Sequence, residues 1–276
     1  MRLLKQLLPV LAVTVVGGQL SMAAEDNAVV RLVVGLATAA LAVLVYAWTV
    51  RWSERRAPAE VAAKGAVTRT ALGAVIGVGW FAAVIGNIAF NGGYRIEGFG
   101  EVAGPVGLFG FMAAASVTEE LIFRGILFRI SEERFGTWWA LVLTSVLFGL
   151  VHMANPDATL WGAVAITLSA GVTLAAVYAA TRNLWVPIGL HFAWNFVQGG
   201  VFGTAVSGNG ENEGLLRGEL SGPDLLTGGE FGPEASPPTV LIGILLTIVF
   251  LWLARRRGTL VPRKGGAPAV TASIAR

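Results

Sequence analysis

Glu119-Glu120-Leu121-Ile122-Phe123-Arg124 interrupts an otherwise apolar run from about Val106 to Ile130, which is long enough to cross a bilayer. Two adjacent carboxylates and a guanidinium in hydrocarbon each cost roughly 2.5–3.5 kcal/mol even on lenient insertion scales. Groups of this kind face a bundle interior or a watered cavity, pair with one another and mark a site. On a helix, Glu120 and Arg124 stand i,i+4 with the acid N-terminal, the favourable order for an ion pair. Glu119 then has no such partner and is available for proton chemistry. The stretch predicts a helix bundle in a membrane, organised around one paired acid and one free one.

Composition agrees. The chain has 276 residues, 55% of them hydrophobic and 13% charged, with a mean hydropathy of +0.69. Soluble globular domains carry about 25% charged residues, so this is an integral membrane protein. The absence of cysteine excludes disulfides, zinc thiolate sites, cysteine-ligated iron–sulfur clusters and thiol catalysis. A net charge of +3 does not imply nucleic acid, because the basic residues flank apolar segments instead of forming a stripe.

Outward from the Glu-Glu span the chain reads as an all-α polytopic bundle of seven to eight transmembrane helices. Residues 1–28 hold Arg2, Lys5, an apolar run from Leu7 to Val16 and Ser21-Met22-Ala23-Ala24, which suits a cleaved signal peptide and a first membrane helix equally. The membrane domain is expected over 29–254. Its spans are Val29–Val50, Leu72–Phe90, Val106–Ile130, Trp138–Met153, Leu160–Thr181, Leu184–Val197 and Thr239–Ala254. Arg31, near one end of its span, can snorkel. A short charged loop, Arg129–Arg134, is expected to close the third span. The Gly-rich, acidic stretch Gly199–Pro238 reads as an extramembrane loop with little fixed structure. Residues 255–276 form a basic tail. If each span reverses direction, one side holds sixteen Lys/Arg and the other only Arg95 and Arg217, with six acids in the 199–238 loop. The positive-inside rule then puts the basic loops and C-terminus in the cytoplasm, as in a prokaryotic plasma membrane.

The chain has two histidines, and each lies at helical spacing from another distinctive residue. Phe148 and His152 are i,i+4 near the end of one span; His191 and Asn195 are i,i+4 within a later one, so each pair shows one helix face. Three spans thus carry Glu119/Glu120/Arg124, His152 and His191/Asn195, residue types suited to acid/base work and to donating to an oxyanion.

The ordered trio EExxxR, FxxxH and HxxxN resembles the CPBP family (Abi, or type II CAAX prenyl proteases), intramembrane glutamic endopeptidases typified by the Ras-converting enzymes. The words Glu119–Gly125 and Pro187–Asn195 carry the likeness, within a motif core of about 106–199. The resemblance implies an eight-helix fold with no metal or other cofactor. It implies Glu119 as general base and His152 as its partner in holding a water, with His191 and Asn195 stabilising the oxyanion. Glu120 and Arg124 would order the site, and Phe148 is most simply core packing. The implied substrate is a membrane-embedded peptide or a lipidated, CAAX-type protein.

Plainer readings stand beside this one. A Glu-Arg pair can clasp two spans, His191 and Asn195 can be interhelical hydrogen-bond glue, and His152 can be an ordinary interfacial residue. Two histidines and a carboxylate could instead hold zinc as a metalloprotease does, although HExxH is absent. A non-catalytic scaffold or immunity protein with a membrane protein partner would need no chemistry. Proton-coupled transport would use the same buried groups, but no Gly/Pro-broken pair of spans occurs in corresponding halves.

Overall fold

A computed structural model describes residues 1–210 and 213–263. Among these, eight main helices follow one another: α1 (Arg2–Ala23), α2 (Ala28–Glu54), α3 (Ala66–Phe90), α4 (Ala103–Phe135), α5 (Thr137–Ala154), α6 (Leu160–Thr181), α7 (Trp185–Asn195, continued by a π-helical turn Phe196–Val201) and α8 (Pro237–Arg256). All but α7 are long and apolar enough to span a membrane. Their outward faces remain apolar, with Leu41, Leu44, Val75, Leu147, Leu241 and Ile248 all exposed. A surface of this kind is stable only against lipid. The protein is therefore a polytopic α-helical membrane bundle.

Small residues let the helices that bear the site approach closely, as is usual where no hydrophobic force drives helices together in lipid. A Cβ added at Gly73 of α3 would lie 2.0 Å from the Val186 carbonyl oxygen of α7, and one at Gly77 would lie 2.3 Å from that of Leu190. α4 and α5 meet at Gly136, whose φ of 80° suits glycine and breaks the helix. The charged segment Arg129–Arg134, expected as a loop, is instead the last turn and a half of α4. Its residues are sound helix formers, and their charges find partners: Arg129 with Glu54 at 2.7 Å, and Glu132 with Arg182.

The signal-like segment forms α1 and is tied in by a buried polar side chain. Gln6 donates to Ser53 Oγ at 2.8 Å and Glu54 at 2.7 Å, and accepts from Arg129 at 2.7 Å. These bonds join α1 to both α2 and α4 at the basic end of the bundle.

The largest departure from expectation is the segment from Gly199 to Pro238, which is folded. β1 (Tyr94–Phe99) pairs antiparallel with β2 (Leu216–Leu220), Tyr94 facing Leu220, with a bulge between Ile96 and Gly98. This small sheet is an addition to the expected all-α architecture. Phe231, Glu234 and Ser236 are buried under the loop. Asn155 donates to the Ser207 carbonyl at 2.6 Å and Trp161 to that of Ala235 at 2.8 Å, fastening the loop across α5 and α6. The glycines that read as disorder supply left-handed turns instead: Gly203, Gly208, Gly228 and Gly232 all have positive φ. The expected basic tail past Arg263, and Glu211, lie outside the described residues.

Candidate active site

Two of the three motif helices, α4 and α7, change pitch beside their polar residues, and so does α6, which packs against them. α4 becomes π-helical over Leu121–Phe128, directly after Glu120; α6 does so over Thr167–Gly171, and α7 over Phe196–Val201, directly after Asn195. π-turns leave carbonyls out of the ladder and are common at functional sites. Here the freed oxygens are used. Arg124 donates from Nη2 to the Gly171 carbonyl at 3.0 Å, in the turn of α6.

Arg124 and Glu120 are 1% and 0% exposed and meet at 2.7 Å, so the ion pair read from their spacing forms in full burial. The same Glu120 oxygen lies 2.9 Å from His191 Nδ1. A carboxylate can only accept, so His191 carries its proton on Nδ1 and turns Nε2 toward Glu119, whose Oε2 is 3.8 Å away. Glu119 is thus not remote from all partners: it faces the imidazole that Glu120 holds. Its side chain is 31% exposed, far more than that of Glu120. His152 is fixed in the same way. Its Nδ1 is 2.6 Å from the Phe148 carbonyl, which can only accept, leaving Nε2 as the free nitrogen.

Phe148 does more than fill space. It is 1% exposed and touches three of the polar residues at once. The Arg124 guanidinium lies 4.5 Å over its ring, and the His152 and His191 rings lie 4.8 and 6.0 Å away. One aromatic ring therefore sets the spacing between both imidazoles and the buried cation.

A groove of about 410 Å³ exposes Glu119, His152 and Asn195 together. Asn195 makes no side-chain hydrogen bond among the described residues, so its amide is free for a ligand. Behind this wall lies a chamber of about 20 Å³ bounded by His152, His191, Asn195, Ser207 and Glu234. That is room for about one water among several polar partners. Glu234, from the folded loop, accepts from the Trp194 indole at 3.3 Å and from the Ser207 amide. Burial pushes its carboxyl above the ordinary value. Nothing in the local sequence marked Glu234 as part of this region; only its place on a Gly/Pro-rich segment that folds inward brings it there. Trp194, which lies between His191 and Asn195 in the sequence, is the residue that reaches it.

All seven residues expected from the sequence thus come to one place: Glu119, Glu120, Arg124, Phe148, His152, His191 and Asn195. Among the described residues no three His, Cys, Asp or Glu side chains are gathered as metal ligands would be.

Comparison with known proteins agrees with this grouping. Residues 102–197 match the model of the family described as type II CAAX prenyl endopeptidase Rce1-like. Over 79 residues the chain is 37% identical to a Bacillus subtilis (strain 168) protein named "Putative membrane peptidase YdiL". That alignment covers 29% of this chain and 30% of the relative, so the chain spans less than a third of the curated relative it matches. No solved structure matches. Every residue of the three motifs falls inside the matched segment, so the likeness to the Rce1-like type II CAAX prenyl endopeptidases rests on the same residues that meet at the groove.

Proposed function

We propose that the protein is an intramembrane endopeptidase that hydrolyses a peptide bond of a membrane-associated substrate, with Glu119 activating the attacking water. The observation that carries this is the sharing of one groove by Glu119, His152 and Asn195, with His191 held at its back by Glu120. Glu119 is the more exposed acid and takes the proton of a water lying between it and His152 Nε2. As that water attacks the scissile carbonyl, negative charge grows on the carbonyl oxygen. The Asn195 amide donates to it, and His191, when Nε2 is protonated, is the second donor. The proton then passes to the leaving amine. Proton transfer of this kind contributes about 10²–10⁴-fold and one oxyanion donor about 10²–10³-fold.

Glu120 and Arg124 contribute by position. Their pairing fixes the His191 tautomer and ties α4 to α6 through the Gly171 carbonyl. The favoured substrate is a prenylated, CAAX-type chain end, on the strength of the family likeness, in a prokaryotic plasma membrane with the basic end cytoplasmic.

The test compares purified wild type with Glu119→Gln on fluorogenic membrane peptides, one of them farnesylated, with and without chelator. Cleavage that resists chelator and falls at least about 10²-fold in the variant supports the reading. Loss of cleavage in chelator would move the chemistry to a metal. Full complementation of a deletion phenotype by Glu119→Gln would assign the protein a non-catalytic, scaffold role with a membrane protein partner.

A further inference from the structure

Arg31 looks from sequence like a snorkelling residue near a span end. Its side chain instead turns into the groove. It lines the same 410 Å³ cavity as Glu119, His152 and Asn195, with its guanidinium carbon 5.0 Å over the Phe111 ring of α4. Its Nε is buried and has no hydrogen-bond partner. Glu25, Asp26 and Glu213 share an adjoining cavity with it, yet among the described residues none forms an ion pair or hydrogen bond with Arg31. The helix does not favour it either: Arg31 sits in the first turn of α2, where the macrodipole is positive and disfavours a cation. The guanidinium is half-buried and has the charge of Glu25 nearby but no direct ion pair, which leaves its fork of donors open to an anion in the groove.

Distance says where on a substrate the anion would be. Phe111, beneath the guanidinium, and Glu119 are eight positions apart on one helix, about 12 Å at 1.5 Å per residue. An extended peptide covers that in roughly three to four residues. We propose that Arg31 is the carboxylate-binding residue of the groove, holding an anionic group of the substrate about three to four residues from the bond that Glu119 addresses. This rests on the proteolytic reading above and adds to it a specificity determinant on α2, outside the segment that matches the family. The carboxylate has two sources, a free chain terminus or an Asp/Glu side chain at that distance.

Binding to Glu119→Gln protein in detergent tests it without requiring turnover. The probes are three dansylated, S-farnesylated peptides with three apolar residues after the cysteine. One ends in a free carboxylate, one in an amide, and one is an amide with Glu as its last residue. Fluorescence anisotropy should show the free acid, the Glu peptide or both binding about tenfold to a hundredfold more tightly than the plain amide. The preference should vanish in Glu119→Gln/Arg31→Gln and return in part in Glu119→Gln/Arg31→Lys. Whichever carboxylate peptide gains affinity identifies the source. Equal binding of all three, no binding of any, or a preference that survives Arg31→Gln overturns the proposal. So does a guanidinium engaged by lipid, seen as an Arg31-dependent affinity for phosphatidylglycerol with no peptide preference. A thermal melt equal to that of the parent establishes that Arg31→Gln is folded. If wild type fails to cleave the acid peptide while the preference persists, the protease reading falls and the assignment of Arg31 stands.

Discussion

Glu120→Gln isolates what the buried pair contributes. The substitution keeps the shape of the side chain and removes its charge, leaving Arg124, 1% exposed, as a cation without its counter-ion. Breaking a buried ion pair from one side costs about 3–5 kcal/mol, because the surviving charge stays desolvated. The pair is not fully satisfied even when intact: Glu120 Oε2 and Arg124 Nε are both buried without partners. Replacing both members should therefore cost much less than replacing one, and Glu120→Gln/Arg124→Met should recover most of the loss. The assay is denaturant unfolding in micelles, followed by the fluorescence of the nine tryptophans. The expected outcome is a loss of about 3–5 kcal/mol for Glu120→Gln and a coupling of at least about 2 kcal/mol in the double-mutant cycle. A single variant costing under about 1 kcal/mol, or a double variant as unstable as the sum of the singles, would refute the argument that an orphaned charge sets the cost.

Two further outcomes follow from packing and titration. Gly77→Val must push α3 off α7, since even its Cβ would meet the Leu190 carbonyl at 2.3 Å; it should lose at least about 1–3 kcal/mol and most activity. Gly79→Val, with nothing within 4 Å on the same helix, should stay within about 0.5 kcal/mol of wild type in the same melts. For Glu234, burial raises the folded carboxyl above its ordinary value of 4.5. Its contribution to stability is then fully present below about pH 4.5 and is lost as pH rises through the folded value. Unfolding free energies measured across that range should lose this slope in Glu234→Gln, and an unchanged slope would assign it to another group.

Most of the bundle was legible because the bilayer leaves so few options. Apolar runs of membrane length become helices, and intramembrane charges face inward. The i,i+4 spacings of Glu120/Arg124, Phe148/His152 and His191/Asn195 put each pair on one face without any knowledge of the fold. What could not be read was the π-helical pitch. It depends on which carbonyls find a donor across the bundle, as that of Gly171 finds Arg124. Phe148 read as filler because its contacts belong to three different helices. The 199–238 segment misled for a physical reason: glycine marks a chain that cannot stay ordered and equally one that turns through positive φ. Glu234 was hidden with it. The groove-side contacts of Arg31 were not legible, because reach toward water and reach into a groove begin from the same position near a helix end.

The Gln6 side chain has a bearing on how the protein is made. Its acceptor oxygen is satisfied by Arg129, which lies 123 residues later in the chain. At a synthesis rate of about 5–20 residues per second, the α1–α2 hairpin, complete at Glu54, waits roughly 4–15 s for the 75 residues that bring that guanidinium out. During that interval the first helical hairpin rests on apolar contact, on the bonds from Gln6 to Ser53 and Glu54 and on the pairing of Glu54 with Arg56, with the oxygen of a buried amide still short of its donor. Arrival of α4 closes the basic end and, in the same movement, brings Glu119 and Glu120 into the bundle. The join at Gln6 thus orders assembly in time: the polar clasp far from the site closes as the site's own acids come into place.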